Sequence, residues 1–162
     1  MEKLEFRILV VDDHEPFRQF VLSKLRQRPE WQVVGEASDG LEAVHKAKEL
    51  QPDLILLDLG LPTMNGIEAA QRIRNFAHES KILFLSQESS PDVVQEALSL
   101  GALGYVKKAL AGTELLGAVQ TVLQGKQFVS AGLAEQGFTH LNDEQSSNRS
   151  REVFISLPEA AD

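Results

Sequence analysis

Five polar side chains stand at the ends of short apolar runs, where they could do chemistry together. Asp12 and Asp13 follow Phe6–Val11, Asp58 follows Leu54–Leu57, Ser86 follows Ile82–Leu85, and Lys108 follows Leu103–Lys107. In open α/β sheets, ligands bind beyond the carboxyl ends of the strands. If the first, third, fourth and fifth runs are neighbouring strands, these five side chains converge on one pocket. Three carboxylates that close repel one another and raise each other's pKa unless a cation compensates. A hard divalent cation with oxygen ligands is the natural partner, and Mg²⁺ also favours phosphate oxygens as co-ligands. A carboxylate oriented by such an ion can attack a phosphoryl group and give an aspartyl phosphate. The ion and the Lys108 ammonium would offset charge on the equatorial oxygens, and the Ser86 hydroxyl would donate a hydrogen bond to the product.

The elements that must position these residues alternate regularly. Apolar runs and helix-period segments follow one another five times. The first strand is expected over Phe6–Val11. A helix follows with Phe17, Val21 and Leu25 at fourfold spacing and Pro16 in its first turn. Trp31 to Ala37 reads as the second strand. Ser38 and Asp39 are capping candidates for a helix whose stripe is Leu41, Val44 and Ala47. Leu54–Leu57 is apolar at every position, as in a central parallel strand covered on both faces. Gly60, Pro62, Asn65 and Gly66 make the loop before a helix from Ile67 to Asn75. Ser90-Pro91 reads as cap and first residue of the next helix, which Gly101 closes. The last helix carries Leu115, Val119, Val122 and Leu123 on one face. Five successive units of this kind predict an α/β fold, one doubly wound parallel sheet with right-handed crossovers. Beyond about Gly125 the pattern dissolves, and Asn142 to Asn148 reads as a polar linker or tail.

Composition narrows the class. The chain has 162 residues, with 24 acidic and 16 basic side chains and a net charge of −8. An acidic surface repels phosphate backbones, so direct nucleic-acid binding by this chain is not expected. No apolar run approaches the roughly 18 residues of a membrane span, and the N-terminus lacks a secretory pattern. The absence of cysteine excludes disulfides and thiolate metal sites. A cytoplasmic location is the expectation.

Val10-Val11-Asp12-Asp13-His14, Leu56 to Gly66 and Gly101 to Lys108 together resemble the receiver domains of bacterial two-component response regulators. The resemblance runs in register from about Phe6 to Gly125. It is closest to the subgroup that usually precedes a helix-turn-helix output domain. It implies the flavodoxin-like (βα)5 fold with strand order 2-1-3-4-5, which puts the fifth strand at the sheet edge, where Lys107 would be an exposed guard. It divides the chain into a receiver over 1–126 and an extension over 127–162. Asp58 would be the phosphoacceptor and Lys108 the pocket lysine. Asp13, Asp58 and the Gly60 backbone carbonyl would bind Mg²⁺ directly, with Asp12 acting through water. Ser86 and Tyr105 would form the switch pair. A sensor histidine kinase is the implied phosphodonor, and the chain would signal rather than act as an enzyme on external substrates. Two positions depart from the family's pattern. Ala109 stands where proline is common, which bears on the peptide isomer after Lys108. Gln87 stands where a small residue is common, which bears on access of water and donor.

Plainer readings exist for single residues: Asp12-Asp13 as a capping turn, Ser86 as a turn residue, Tyr105 as core. His14, His45, His78 and His140 show no ligand spacing. No Gly-rich nucleotide loop is present. Output is expected through the face made by the fourth helix, fifth strand and fifth helix, toward a protein partner or a second copy. The runner-up is the regulatory half of a longer transcription factor. Ser150 to Phe154 resembles the opening of its DNA-binding domain, but too few residues follow Lys126 for the whole of it. A metal-dependent hydrolase would need a second acid-base group beside the nucleophile, and the sequence offers none.

Overall fold

The computed structural model describes residues 5–133. The chain runs β1 (Phe6–Val11), α1 (Glu15–Leu25), β2 (Trp31–Ala37), α2 (Gly40–Leu50), β3 (Leu54–Leu57), α3 (Gly66–Ile73), β4 (Lys81–Ser86), α4 (Pro91–Ser99), β5 (Gly104–Lys107), α5 (Ala111–Leu123) and β6 (Phe128–Val129). All strands pair in parallel, in the order β2-β1-β3-β4-β5-β6. The five predicted strands therefore take the expected 2-1-3-4-5 order.

Strand period explains the two cores. Ile8, Val10, Leu54, Leu56, Leu83, Leu85 and Val106 pack with Val21, Leu22 and Leu25 of α1 and Leu115, Val119 and Val122 of α5. The alternate residues Leu9, Ile55, Leu57, Ile82 and Phe84 are equally buried and point to the opposite face. There α2 and α3 approach closely because their inward residues are small: Ala43, Ala47, Ala69 and Ala70. All four β3 residues are at most 1% exposed. Burial of each such aliphatic side chain stabilises by about 1.5–3 kcal/mol, and truncating one to alanine costs roughly 2–5 kcal/mol.

Helix starts follow the caps that the sequence offers. The Asp39 side chain accepts from Glu42 N, Asn65 from Glu68 N, and Ser90 from Val93 N. Ser38 is not a cap; its backbone and hydroxyl both bond Glu42. Gly101 closes α4 at φ 97°.

One expectation is corrected. The fifth strand is not the sheet edge, because β6 pairs alongside it, Gly104 with Phe128 and Tyr105 with Val129. The reason lies at the end of α5. Gly125 takes φ 83°, its N–H reaches Val122 O, and Lys126 N reaches Thr121 O, a two-bond glycine stop that reverses the chain. Phe128 then packs on the core between sheet and α5. Ser130 continues the pairing: its N–H donates to Tyr105 O at 2.9 Å, and its Oγ accepts from Lys107 N at 2.9 Å. Lys107 is half-buried rather than an exposed guard. Among the described residues, no helix is long and apolar enough to cross a membrane. The expectations for Asn142 to Asn148 and for Ser150 to Phe154 lie outside the described residues.

Candidate functional site

β1 and β3 are adjacent and in register, Val11 against Leu57, so the residues after them emerge side by side. Asp12 N donates to Ala37 O and Asp58 N to Val11 O, which extends the ladder one step and fixes both backbones. Asp12 is 2% and Asp58 6% exposed, while Asp13 faces solvent. One carboxylate oxygen from each of Asp12, Asp13 and Asp58 lies within 4.8 Å of the others. Such an oxygen-only acidic group is the donor set of a hard divalent cation.

Lys108 enters from the turn after β5 and bridges the buried pair. Its Nζ lies 2.8 Å from Asp12 Oδ2 and 3.1 Å from Asp58 Oδ2. Burial raises the Asp58 pKa, the charge of Asp12 adds to the rise, and Lys108 and the Gly60 N–H work against it. For Lys108 burial opposes the charged form, but hydrogen bonding and attraction from Asp12 and Asp58 outweigh it, and the pKa moves up. Both shifts describe the same imbalance: two buried carboxylates share one ammonium.

The loop after β3 is tied to the nucleophile candidate. Gly60 N donates to Asp58 Oδ1 at 3.2 Å. A Cβ on Gly66 would lie 2.2 Å from Asp58 O, so only glycine lets α3 start this close to the site. Gly66 N in turn bonds Leu59 O at 2.8 Å. Gly40, at the start of α2, meets the same loop, where an added Cβ would strike Met64 O.

Ser86 and Tyr105 come together through the backbone of one residue, Glu88. Ser86 is 3% exposed, and its Oγ accepts from Glu88 N at 2.9 Å. The Tyr105 ring is fully buried beside Phe84, and its hydroxyl donates to Glu88 O at 2.6 Å. Burial pushes the Tyr105 pKa up to about 12, only partly offset by the Ser86 hydroxyl. Gln87 and Ala109 both line the cleft over Asp58.

The structure thus brings Asp12, Asp13, Asp58, Gly60, Ser86 and Lys108 to one cleft, with Tyr105 beneath it. Asp12 does not cap α1, whose N-cap residue His14 has no side-chain cap bond, but its Oδ1 accepts from His14 N at 2.8 Å and shapes the turn before the helix. His14, His45 and His78 are exposed, and His140 lies outside the described residues. Three contributors escaped sequence reasoning. Glu88 acts through its backbone. Arg18 holds Asp12 O at 2.7 Å and Glu36 at 2.8 Å, bracing the β1–α1 turn. Phe17, read as a helix-stripe residue, places its ring 4.7 Å from Lys108 Nζ. The signal for both α1 residues was their place in the first turn after the acidic pair.

Known proteins resemble this chain in sequence and in fold. Residues 8–120 match the family model described as the response regulator receiver domain. The transcriptional regulatory protein LiaR of Bacillus subtilis is 36% identical over 135 residues, 83% of this chain and 64% of LiaR. The nitrate/nitrite response regulator NarL of Escherichia coli K12 is 37% identical over 126 residues, 78% of this chain and 58% of NarL. The chain therefore spans about three-fifths of the length of these relatives. A two-component response regulator of the LuxR family from Aurantimonas superposes with a TM-score of 0.78 at 32% identity, covering 88% of this chain and 99% of that one. The receiver domain of the putative NarL of Mycobacterium tuberculosis gives 0.71 at 35% identity, covering 75% and 98%. The family match runs from Ile8 in β1 through most of α5 and includes every site residue named above, and the chain belongs to the response regulator receiver domains.

Proposed function

We propose that Asp58 accepts a phosphoryl group from a phosphohistidine on a sensor histidine kinase, in a Mg²⁺-dependent reaction inside the cytoplasm. The observation that carries this reading is Lys108 bridging Asp12 and Asp58 beside Asp13. Three hard oxygen donors, one of them exposed, fit Mg²⁺ with solvent or phosphate oxygens completing its shell. Asp13, Asp58 and the Gly60 carbonyl would hold the ion, with Asp12 acting through water. When bound, it supplies positive charge against the oxygens of the transferring group.

The chain's own residues divide the remaining work. An Asp58 oxygen attacks phosphorus as the phosphorus–nitrogen bond to the donor breaks, leaving the electron pair on the histidine nitrogen. Lys108 keeps its 2.8 Å contact with Asp12 and turns its second N–H from Asp58 to a phosphoryl oxygen. Ser86 donates its hydroxyl hydrogen to another. That movement pulls on the backbone of Glu88, whose N–H binds Ser86 and whose carbonyl, in the next peptide group, binds Tyr105. A ligand shifts a two-state element only by its differential affinity, and the Glu88 backbone is where the difference would be felt.

Signal output then runs through α4, β5 and α5 to a protein partner or a second copy. With β6 laid along β5, the contact uses the helices and the β6 side rather than pairing with Gly104 and Tyr105. Incubation with acetyl phosphate and Mg²⁺, read by intact mass, tests the reading. The wild type should gain one phosphoryl group and Asp58→Asn none; an unchanged gain in the variant refutes the assignment.

A second reading rests on the relatives' names, since LiaR is a transcriptional regulatory protein and NarL a nitrate/nitrite response regulator. In that case the domain is the regulatory half of a transcription factor. Sequencing the reading frame beyond Asp162 tests it: a DNA-binding segment supports it, and a stop codon there refutes it.

A further inference from the structure

We infer that Phe17 is a positioning residue for phosphoryl transfer, holding the Lys108 ammonium against the face of its ring. This rests on the proposed phosphoacceptor role of Asp58. Lys108 carries three N–H groups on a flexible four-carbon stem. Two are engaged by Asp12 Oδ2 and Asp58 Oδ2, at 2.8 and 3.1 Å. The Phe17 ring centroid lies 4.7 Å from the same nitrogen, inside the range in which an aromatic face attracts a cation. The Lys108 side chain is only 12% exposed, so little water competes for that side of the ammonium. Phe17 also lines the cleft over Asp58, and its ring packs at a tilt of 38° against Phe20, with centroids 5.7 Å apart, which steadies it.

The need for such a hold follows from the transfer itself. Lys108 must exchange an Asp58 oxygen for a phosphoryl oxygen without leaving the cleft. A bond to Asp12 alone leaves an ammonium on a mobile stem free to swing. A ring face attracts the charge without demanding one hydrogen-bond direction, so it restrains the nitrogen while its N–H groups turn. Backbone contacts of the 3₁₀ turn at Lys108–Leu110 fix only the root of the side chain. Phe17 therefore acts through Lys108 and not on the phosphoryl group.

The test replaces Phe17 with phenylalanines bearing one, two and three ring fluorines, which keep the shape while draining the ring face of negative charge. Two quantities are read: the rate of acetyl phosphate phosphorylation, and the NMR shifts of the Lys108 ε-methylene protons in metal-free protein. Wild type, Lys108→Ala and Asp58→Asn run alongside. Phosphorylation of the wild type that Asp58→Asn abolishes supports the underlying reading; a gain that survives Asp58→Asn would sink that reading while leaving the NMR comparison valid. The expected result is a stepwise fall in rate, about tenfold at three fluorines, equivalent to about 1.4 kcal/mol of transition-state stabilisation. The Lys108 shifts should move toward those of a solvent-exposed lysine over the same steps. Phe17→Trp should retain the wild-type rate, and Phe17→Leu should lose it without a matching loss of thermal stability. A rate and Lys108 shifts indifferent to fluorination would overturn the proposal and leave Phe17 as ordinary packing.

Discussion

Removing the Lys108 ammonium should destabilise the metal-free domain far more than the Mg²⁺-loaded one. In Lys108→Ala, Asp12 and Asp58 keep their burial, at 2% and 6% exposure, but lose the cation 2.8 and 3.1 Å away. At an effective dielectric of about 20, each contact near 3 Å is worth roughly 5 kcal/mol of gross attraction. Most of that is offset in the wild type by desolvation of the three charges, and breaking a buried pair costs about 3–5 kcal/mol net. Asp13 at the solvent-facing rim lets water approach the cluster, which favours the lower end, about 3 kcal/mol. For a domain of this size that corresponds to a fall of roughly 8–12 °C in Tm. Saturating Mg²⁺ stabilises both proteins and narrows the gap only by the ratio of their affinities, so an ion bound about 100-fold more tightly by the variant would close about 2.7 kcal/mol of it. The variant should also bind Mg²⁺ more tightly, because no ammonium competes for the carboxylates. Thermal unfolding in EDTA and across a Mg²⁺ titration measures both effects. The deficit should shrink in acid as well: without Lys108 the Asp58 pKa rises further above its unfolded value, and stability is regained as pH falls through the folded pKa. A variant as stable as wild type in EDTA, or a deficit that ignores Mg²⁺, would refute this account of the cluster.

Other outcomes follow from the same geometry. Burial raises the Asp58 pKa, so its ionised form penalises the metal-free fold; stability should be lost as pH rises from the unfolded value, about 3.8, through the higher folded one. In urea melts of metal-free protein, Asp58→Asn should flatten that part of the pH profile. Gly66→Ala forces a Cβ to within 2.2 Å of Asp58 O, and overpacking there should cost about 1–3 kcal/mol and weaken Mg²⁺ binding, both readable by calorimetry. Ser86→Ala should accept the phosphoryl group yet fail to shift the amide resonances of Glu88, Tyr105 and α4. Equal shifts in wild type and variant would remove Ser86 from the switch.

The fold was readable where each element carried its own signal. Leu54–Leu57 declared a central strand by being apolar throughout, Asp39 and Ser90 announced helix starts that the structure confirms bond by bond, and Asn65, read as a loop residue, turns out to cap α3. The site was readable because its polar side chains interrupt apolar runs, and parallel pairing places such interruptions together. What stayed hidden has physical causes. β6 holds two residues, too few to show any period, and it forms because Gly125 turns the chain back onto the core. Glu88 contributes its backbone N–H and C=O, which nearly every residue possesses. Phe17 occupies an apolar helix position, and only the placement of Lys108 shows that its ring meets a cation.

The central claim is that Asp58 itself carries the phosphoryl group, and chemical trapping tests it most directly. Borohydride reduces an acyl phosphate to the alcohol, so phosphorylated Asp58 would be converted to homoserine. After reaction with acetyl phosphate and Mg²⁺, reduction and peptide mapping should find homoserine at position 58 and aspartate retained at 12 and 13. Homoserine at 12 or 13 instead, or at none of the three after a measured phosphoryl gain, would contradict the account.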